Sequence, residues 1–257
     1  MSTALLTCVG VNKSYGGVQA VKDVAISVAA GEIVGLVGPN GAGKTTLVDV
    51  ITGQQQADTG DIRISGTRLT GPPSVRARRA GFARTFQHPQ LALDMTIREN
   101  LLIGAVGGSM GRLPGVLRRV ATGMFVPTAG ADEQRVRDVA ADFGLTGLHR
   151  LVADLTLGEQ RLVEVARAML RVPQVLLLDE PFAGGDLRGV GAMTRGLERV
   201  LDRGCGVLLV DHNIDIVAGL VHRMVLMDQG AVVFEGPPDV ALASQEMRDV
   251  YFGGHSA

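Results

Sequence analysis

Apolar residues occur along this chain in short continuous runs that alternate with longer segments of helical period. The short runs are typical of strands buried on both faces of a parallel sheet. We predict such strands at 32–37, 175–178 and 207–210, and helices at 45–51, 132–143, 159–170 and 186–201. Strands in alternation with helices indicate an α/β fold with a mainly parallel sheet covered by helices on both faces.

Weaker patterns predict the remaining elements. Further strands are expected at 4–9, 21–28, 61–65, 82–87, 224–227 and 231–234, and a further helix at 95–103. The last two strands flank Asp228-Gln229-Gly230 and are predicted to form a hairpin. Gly71, Pro72 and Pro73 break the pattern. Beyond them, the solvated face of a helix is the expected place for Arg76, Arg78 and Arg79.

Residues 104–130 fit neither a strand nor a long helix. The stretch is rich in glycine, and its arginines lie among scattered apolar residues. Two interpretations stay open: a mobile surface loop, or a docking surface for a membrane partner built around a short amphipathic helix near 113–120.

Composition narrows the class of protein. With 46% apolar and 20% charged residues in a chain of 257, we expect one large domain, or a core with an inserted lobe, and no extensive disorder. A net charge of −1 argues against a broad nucleic-acid interface.

The cysteines and the apolar runs indicate the cellular compartment. Cys8 and Cys205 lack the spacing of a metal site or a disulfide framework, which favours a reducing cytosol. Without a secretory signal or a membrane-length apolar run, the chain is predicted to be soluble on its own, and docking on a membrane partner is left open.

A phosphate-binding loop is predicted between the strand at 32–37 and the helix at 45–51. Its residues are Gly38, Pro39, Asn40, Gly41, Ala42, Gly43, Lys44, Thr45 and Thr46. Glycines let backbone N–H groups turn towards phosphate oxygens, and the following helix directs its positive end to the same place. Lys44 would supply a cation for the terminal phosphates, and the Thr45 hydroxyl could ligate Mg²⁺.

Polar residues at the ends of other strands are candidates for the chemistry on that phosphate. Asp179 and Glu180 follow a buried run, where Asp179 would hold Mg²⁺ and Glu180 would polarise an attacking water. His212 follows the next run and could bond the γ-phosphate and the same water. Gln87 ends a strand at a loop and could touch both Mg²⁺ and the water, although the residues alone leave that role open.

A second anion site is possible where the helix at 159–170 begins. The segment consists of Leu155, Thr156, Leu157, Gly158 and Glu159. A small hydroxyl and a glycine N–H at a helix start can bind an anion, but many helices begin in this way. The segment gains meaning from its place in the order of motifs, after the phosphate loop and Gln87 and before Asp179, Glu180 and His212.

That order resembles the ATP-binding subunits of ABC transporters over nearly the whole chain. The resemblance matches 38–45 to the Walker A motif, Gln87 to the Q-loop and 155–159 to the signature. It also matches Asp179 and Glu180 to Walker B and its catalytic glutamate, Asp186 to the D-loop and His212 to the H-loop. Tyr15 stands where this family stacks an aromatic ring on adenine.

The resemblance implies a P-loop NTPase (RecA-like) fold with antiparallel N-terminal strands and an inserted helical subdomain. The nucleotide-binding core would comprise 1–87 and 173–235, the helical subdomain 88–172 and a C-terminal tail 236–257. Two features depart from the wider family. The signature has Thr156 and Leu157 in place of Ser and Gly, and the D-loop has Gly185 before Asp186 in place of Leu.

Finer features are similar to the branched-chain amino acid (Liv-type) branch. They are Arg84-Thr85-Phe86-Gln87-His88, Gly158-Glu159-Gln160-Arg161 and the ending Tyr251-Phe252-Gly253. The resemblance implies an importer ATPase that hydrolyses ATP with Mg²⁺ to power uptake of branched-chain amino acids or a similar small polar solute. The alternative is a soluble regulatory or DNA-associated ATPase of the same family.

The same resemblance implies a set of partners. Two ATP-binding subunits would face each other head to tail, so that each ATP lies between the loop at 38–46 of one subunit and residues 155–159 of the other. Permease subunits would hold the pair at the inner face of the cell membrane, and an extracytoplasmic solute-binding protein would deliver the cargo. No nucleic-acid partner is expected.

Overall fold

A computed structural model describes residues 4–86, 88–109, 130–182 and 187–252 of the chain. These residues form two compact units. The first contains the described parts of 1–84, 174–181 and 201–257, and the second those of 85–173 and 182–200.

The first unit contains a four-stranded antiparallel sheet. Its strands are β1 (Ala4–Tyr15), β2 (Val18–Ala29), β4 (Thr59–Ile64) and β5 (Thr67–Arg68), in the order β2-β1-β4-β5. The prediction that the first strand ends at residue 9 is wrong, because register shifts such as the one between Cys8 and Val11 absorb residues that break the alternation. Gly10, at φ +61°, lies within that shift.

A six-stranded sheet in the same unit contains all the predicted buried runs. Its strands are β3 (Ile33–Val37), β6 (Phe82–Arg84), β7 (Val175–Asp179), β8 (Gly206–Val210), β9 (Arg223–Asp228) and β10 (Ala231–Gly236). The order is β10-β9-β3-β8-β7-β6, and only β10 is antiparallel to its neighbour, through the predicted hairpin. The expected mainly parallel sheet with antiparallel N-terminal strands is therefore confirmed. The strand predicted at 82–87 is shorter and ends at Arg84.

The described helices include all the predicted ones in their predicted order, together with three near the C-terminus that were not predicted. They are α1 (Lys44–Thr52), α2 (Pro73–Ala80), α3 (Ile97–Ser109), α4 (Gly130–Asp142), α5 (Leu157–Met169), α6 (Leu187–Asp202), α7 (Ile214–Ala218), α8 (Pro238–Ala243) and α9 (Gln245–Phe252). None of them is both long and apolar enough to cross a bilayer. Helix α1 adds Leu47, Val48, Val50 and Ile51 to a core that also takes in residues of both sheets.

Close helix packing in the second unit depends on two glycines. A Cβ on Gly104 of α3 would lie 2.4 Å from the carbonyl oxygen of Arg167 on α5, and one on Gly196 of α6 would lie 2.3 Å from the Phe143 ring. Helix α3 continues to Ser109, beyond the predicted end at residue 103, and Gly104 packs against α5 within the helix rather than ending it. The choice between a surface loop and a docking surface for residues 104–130 depends on residues 110–129, which lie outside the described part of the chain.

Arg76 corrects the prediction of a solvated helix face. Its side chain is buried and donates to the carbonyl oxygens of Val50 and Ile51, both at 2.7 Å, and of Gly71 at 3.0 Å. Carbonyls in the last turn of a helix lack partners within the helix, and the Arg76 guanidinium satisfies two of them in α1. The side chains of Arg78 and Arg79 are outside the described set.

Candidate functional site

The loop between β3 and α1 has glycine where the surrounding backbone leaves no room for a side chain. A Cβ on Gly38, at φ +150°, would lie 2.2 Å from the carbonyl oxygen of Met227. One on Gly43, at φ +98°, would lie 2.3 Å from that of Ala20. Ala42 is buried between them, and its carbonyl accepts from the Gly230 N–H at 3.0 Å. Backbone carbonyls from both sheets of the first unit therefore pack against the loop and fix its conformation.

Helix α1 presents its amino end and a lysine directly after this loop. The N-cap residue is Gly43, with no side chain to cap the first amides, so these N–H groups are suited to an anion. The Lys44 ammonium donates to the carbonyl oxygens of Gly38 at 2.6 Å and Pro39 at 2.9 Å. Burial lowers the pKa of Lys44, and the Glu180 and Asp179 carboxylates oppose that shift. Thr45 is exposed and Thr46 is half-buried.

Asp179 and Glu180 lie at the carboxyl end of β7. Asp179 is level with Val210 of β8 in the parallel ladder. The Glu180 N–H donates to the Val210 carbonyl at 2.7 Å, and Glu180 takes the left-handed conformation, at φ +48°. This turn directs the chain out of the sheet immediately after the acidic pair.

His212 lies beside Glu180 at the end of β8. Its Nδ1 is 3.6 Å from Glu180 Oε1 and 3.6 Å from Asp211 Oδ1, which is beyond hydrogen-bond distance. Asp211 is buried and accepts from the Asn213 N–H at 3.0 Å, which fixes the turn that follows the strand. The first unit therefore brings Lys44, Asp179, Glu180 and His212 to the same edge of one parallel sheet.

Arg84 is a site residue whose role the sequence reasoning missed. Its Nη2 lies 2.8 Å from Asp179 Oδ2, and its Nη1 lies 2.8 Å from Asp49 Oδ1 on α1. The signal available in the sequence was a lone arginine in a short strand that ends among apolar neighbours. In the sequence, Arg84 contributes only to the similarity of residues 84–88 to the Liv-type branch.

Tyr15 lies at the tip of the β1–β2 hairpin, where it pairs with Val18. Its side chain is exposed, and the Lys13 ammonium lies 5.3 Å from the ring centroid. A cation at this distance is attracted to the face of the ring.

The signature segment belongs to the second unit and is organised locally. Thr156 is the N-cap of α5: its hydroxyl accepts from the Glu159 N–H at 3.2 Å, and the Glu159 carboxylate accepts from the Thr156 N–H at 2.9 Å. Arg150 donates to Glu159 at 2.8 Å, and this contact is the main reason that the pKa of Glu159 is lowered. Leu155 is buried, Leu157 is exposed and Gly158 is half-buried.

Two predicted site residues, Gln87 and Asp186, lie outside the described residues. Within the described ranges, no group of three or more His, Cys, Asp or Glu side chains could hold a metal ion by itself. Of the three predicted Mg²⁺ ligands, the described part of the chain contains the Thr45 hydroxyl and the Asp179 carboxylate. Both are hard oxygen donors of the kind that Mg²⁺ prefers, and a bound phosphate would complete the set.

A glycine loop between a strand and a helix, with a lysine at the helix start and acids at a neighbouring strand end, defines a P-loop nucleotide-binding protein. The family model described as ABC transporter matches residues 21–183. The chain belongs to this family, as an ATP-binding ATPase subunit.

Individual relatives match over nearly the full length. A probable ABC transporter ATP-binding protein of Azorhizobium caulinodans is 36% identical over 96% of this chain and 83% of its own length. The high-affinity branched-chain amino acid transport ATP-binding protein LivG of Salmonella typhimurium is 31% identical over 98% of this chain and 99% of its own. The ADP conformation of MJ1267, an ATP-binding cassette of an ABC transporter, superposes with a TM-score of 0.83 at 28% identity, covering 98% of this chain and all of that one.

Proposed function

We propose that this subunit hydrolyses ATP to power the uptake of branched-chain amino acids or a similar small polar solute. The observation that supports catalysis most directly is the grouping of Lys44, Asp179, Glu180 and His212 at one sheet edge beside the glycine loop. The LivG name of relatives that align over 98% of this chain supports the solute class.

Residues 38–46 hold the phosphates in this proposal, through backbone N–H groups and the Lys44 ammonium. Lys44 exchanges its two loop carbonyls for phosphate oxygens, which are stronger acceptors because they are charged. Thr45 and Asp179 would hold Mg²⁺, which would neutralise phosphate charge. The exposed ring of Tyr15 packs on the adenine.

Glu180 acts as the base for the attacking water. His212, within 3.6 Å of the Glu180 carboxylate, bonds the γ-phosphate and helps to orient that water. We also assign Gln87 to this site, where its amide would contact Mg²⁺ and the attacking water.

The site is completed by a second ATP-binding subunit. Residues 155–159 bind the ATP held by the partner subunit, and Asp186 contributes to the contact between the two. The half-buried Gly158 and the amides of Leu157 and Gly158, at the start of α5, form the surface offered to that nucleotide. Permease subunits anchor the pair at the inner membrane face and are engaged by the helical region at 88–172, and a solute-binding protein delivers the cargo.

Glu180→Gln tests the catalytic assignment. The variant is expected to bind MgATP, to form a stable dimer and to release almost no inorganic phosphate, since the amide cannot accept the proton. Glu235→Gln is the matched control, because Glu235 lies on β10 in an ion pair with Arg223, at the amino end of β9. Normal turnover by Glu180→Gln would remove Glu180 as the base.

Transport is tested separately from catalysis. The subunit is expected to co-purify with a membrane permease, and the ATPase rate of the assembly should rise when the solute-binding protein is loaded with a branched-chain amino acid. Full ATPase activity with no permease partner would instead favour a regulatory or DNA-associated ATPase.

A further inference from the structure

We propose that Arg84 and Asp49 are positioning residues, which set the orientation of the Asp179 carboxylate and the net charge of the group that the three side chains form. This inference rests on the proposed function, in which Asp179 holds Mg²⁺. Neither Arg84 nor Asp49 is among the residues that we propose to contact the phosphates or the ion.

The sheet register brings Arg84 to Asp179. Arg84 is level with Leu177 in the parallel ladder between β6 and β7. Side chains alternate across a strand, so Arg84, Leu177 and Asp179 share one face of the sheet. The Arg84 guanidinium then reaches two residues along β7 to Asp179 Oδ2, at 2.8 Å.

The other end of the same guanidinium reaches the helix that begins at Lys44. Nη1 donates to Asp49 Oδ1 at 2.8 Å and to the Thr52 hydroxyl oxygen at 3.3 Å. One arginine therefore ties the strand that carries Asp179 to the helix that carries Lys44 and Thr45.

Burial gives this bridge its stiffness. The exposed fractions of the side chains are 10% for Arg84, 13% for Asp179 and 24% for Asp49. Exposed ion pairs contribute little because water screens them, whereas a largely buried, hydrogen-bonded trio leaves few other rotamers.

Charge explains why Asp49 is needed. An Arg84–Asp179 pair alone would have no net charge, and its attraction for a divalent cation would be weak. Asp49 adds a second carboxylate, so the trio keeps the single negative charge of an isolated aspartate while the carboxylate of Asp179 is held in one orientation. Outer-shell partners commonly tune metal ligands in this way.

The test is a Mg²⁺ titration of nucleotide binding to the full chain. Arg84→Lys keeps the charge but loses the planar fork, since one ammonium cannot reproduce the two-ended contact. We expect the half-saturating Mg²⁺ concentration to rise about tenfold or more. Nucleotide affinity measured in EDTA should stay within about twofold of wild type, because the phosphate loop is unchanged.

Arg223→Lys is the matched control. Arg223 also joins two carboxylates, with Nε 3.0 Å from Glu32 Oε1 and a second ion pair to Glu235, but it lies at the amino end of β9. This control should leave the Mg²⁺ midpoint unchanged.

Asp49→Asn tests the contribution of charge separately from that of geometry. It also tests the positioning role if circular dichroism shows that Arg84→Lys does not fold. It keeps the fork in place and removes the compensating charge, so the Mg²⁺ midpoint should again rise. Wild-type midpoints in the folded variants would overturn the positioning role. Failure of the wild-type chain to bind nucleotide at all would overturn the proposed function instead.

Discussion

The two candidate ATP-contacting regions are built in opposite ways. At the sheet edge, Lys44, Asp179 and His212 come from three separate parts of the sequence and are held by buried strands. In the signature segment, Thr156 and Glu159 satisfy each other's backbone N–H groups within a single helical turn. The first region depends on the whole sheet, whereas the second is a local structure presented at a surface. A mutation in the strands of the sheet edge should therefore destabilise the whole first unit, whereas a mutation in the signature segment should affect only the start of α5.

The largest contrast is expected between two leucines. Leu177→Ala, at a fully buried position on β7, should lower the free energy of unfolding by about 2–5 kcal/mol because it leaves a cavity. Leu157→Ala, at a position 44% exposed in the signature segment, should change it by about 0.5 kcal/mol or less. Urea unfolding of both variants measures the two free energies of unfolding. Equal decreases in the two variants would contradict the contrast between the sheet and the signature segment.

Lys44→Ala separates binding from folding at the sheet edge. Loss of one charge-assisted contact should weaken nucleotide affinity about a hundredfold, the equivalent of about 2.7 kcal/mol. Stability should hardly fall, because burial already disfavours the charged form of this lysine. Calorimetric nucleotide titration and thermal unfolding test the two halves, with Lys22→Ala as the control. Wild-type affinity in Lys44→Ala would contradict the assignment of the loop.

Thr156→Ala should have a smaller effect than Leu177→Ala or Lys44→Ala. It removes the N-cap acceptor of α5 and should cost about 1 kcal/mol of stability. Thr156→Ser retains a hydroxyl and should restore most of that loss. Equal losses in the two variants, measured by urea unfolding, would show that the threonine methyl rather than the cap stabilises the segment.

Features that depend on neighbouring residues in the sequence could be predicted from the sequence. Apolar runs such as 207–210 indicate buried strands because a strand in a covered parallel sheet is apolar on both faces and four residues are too few for a typical helix. The phosphate loop was recognisable because its glycines are required by close backbone approach, as at Gly38 and Gly43.

What the sequence could not provide was long-range pairing of charges. Arg76 was predicted to be solvated, since its neighbours are arginines, and only the fold shows that the end of α1 lies beside it. Arg84 lacked a role for the same reason, because its partners Asp49 and Asp179 are far from it in sequence. The end of the first strand was missed because a register shift interrupts the alternation on which the prediction depended.

At Glu180, the residue that would suit the backbone best differs from the residue that the proposed catalysis needs. A left-handed φ of +48° suits glycine or asparagine better than glutamate. Selection of this chain for heat resistance alone would reward replacement of the very acid that we propose as the base. A variant selected in this way would be more stable, but it would lack the proposed base and would not hydrolyse ATP.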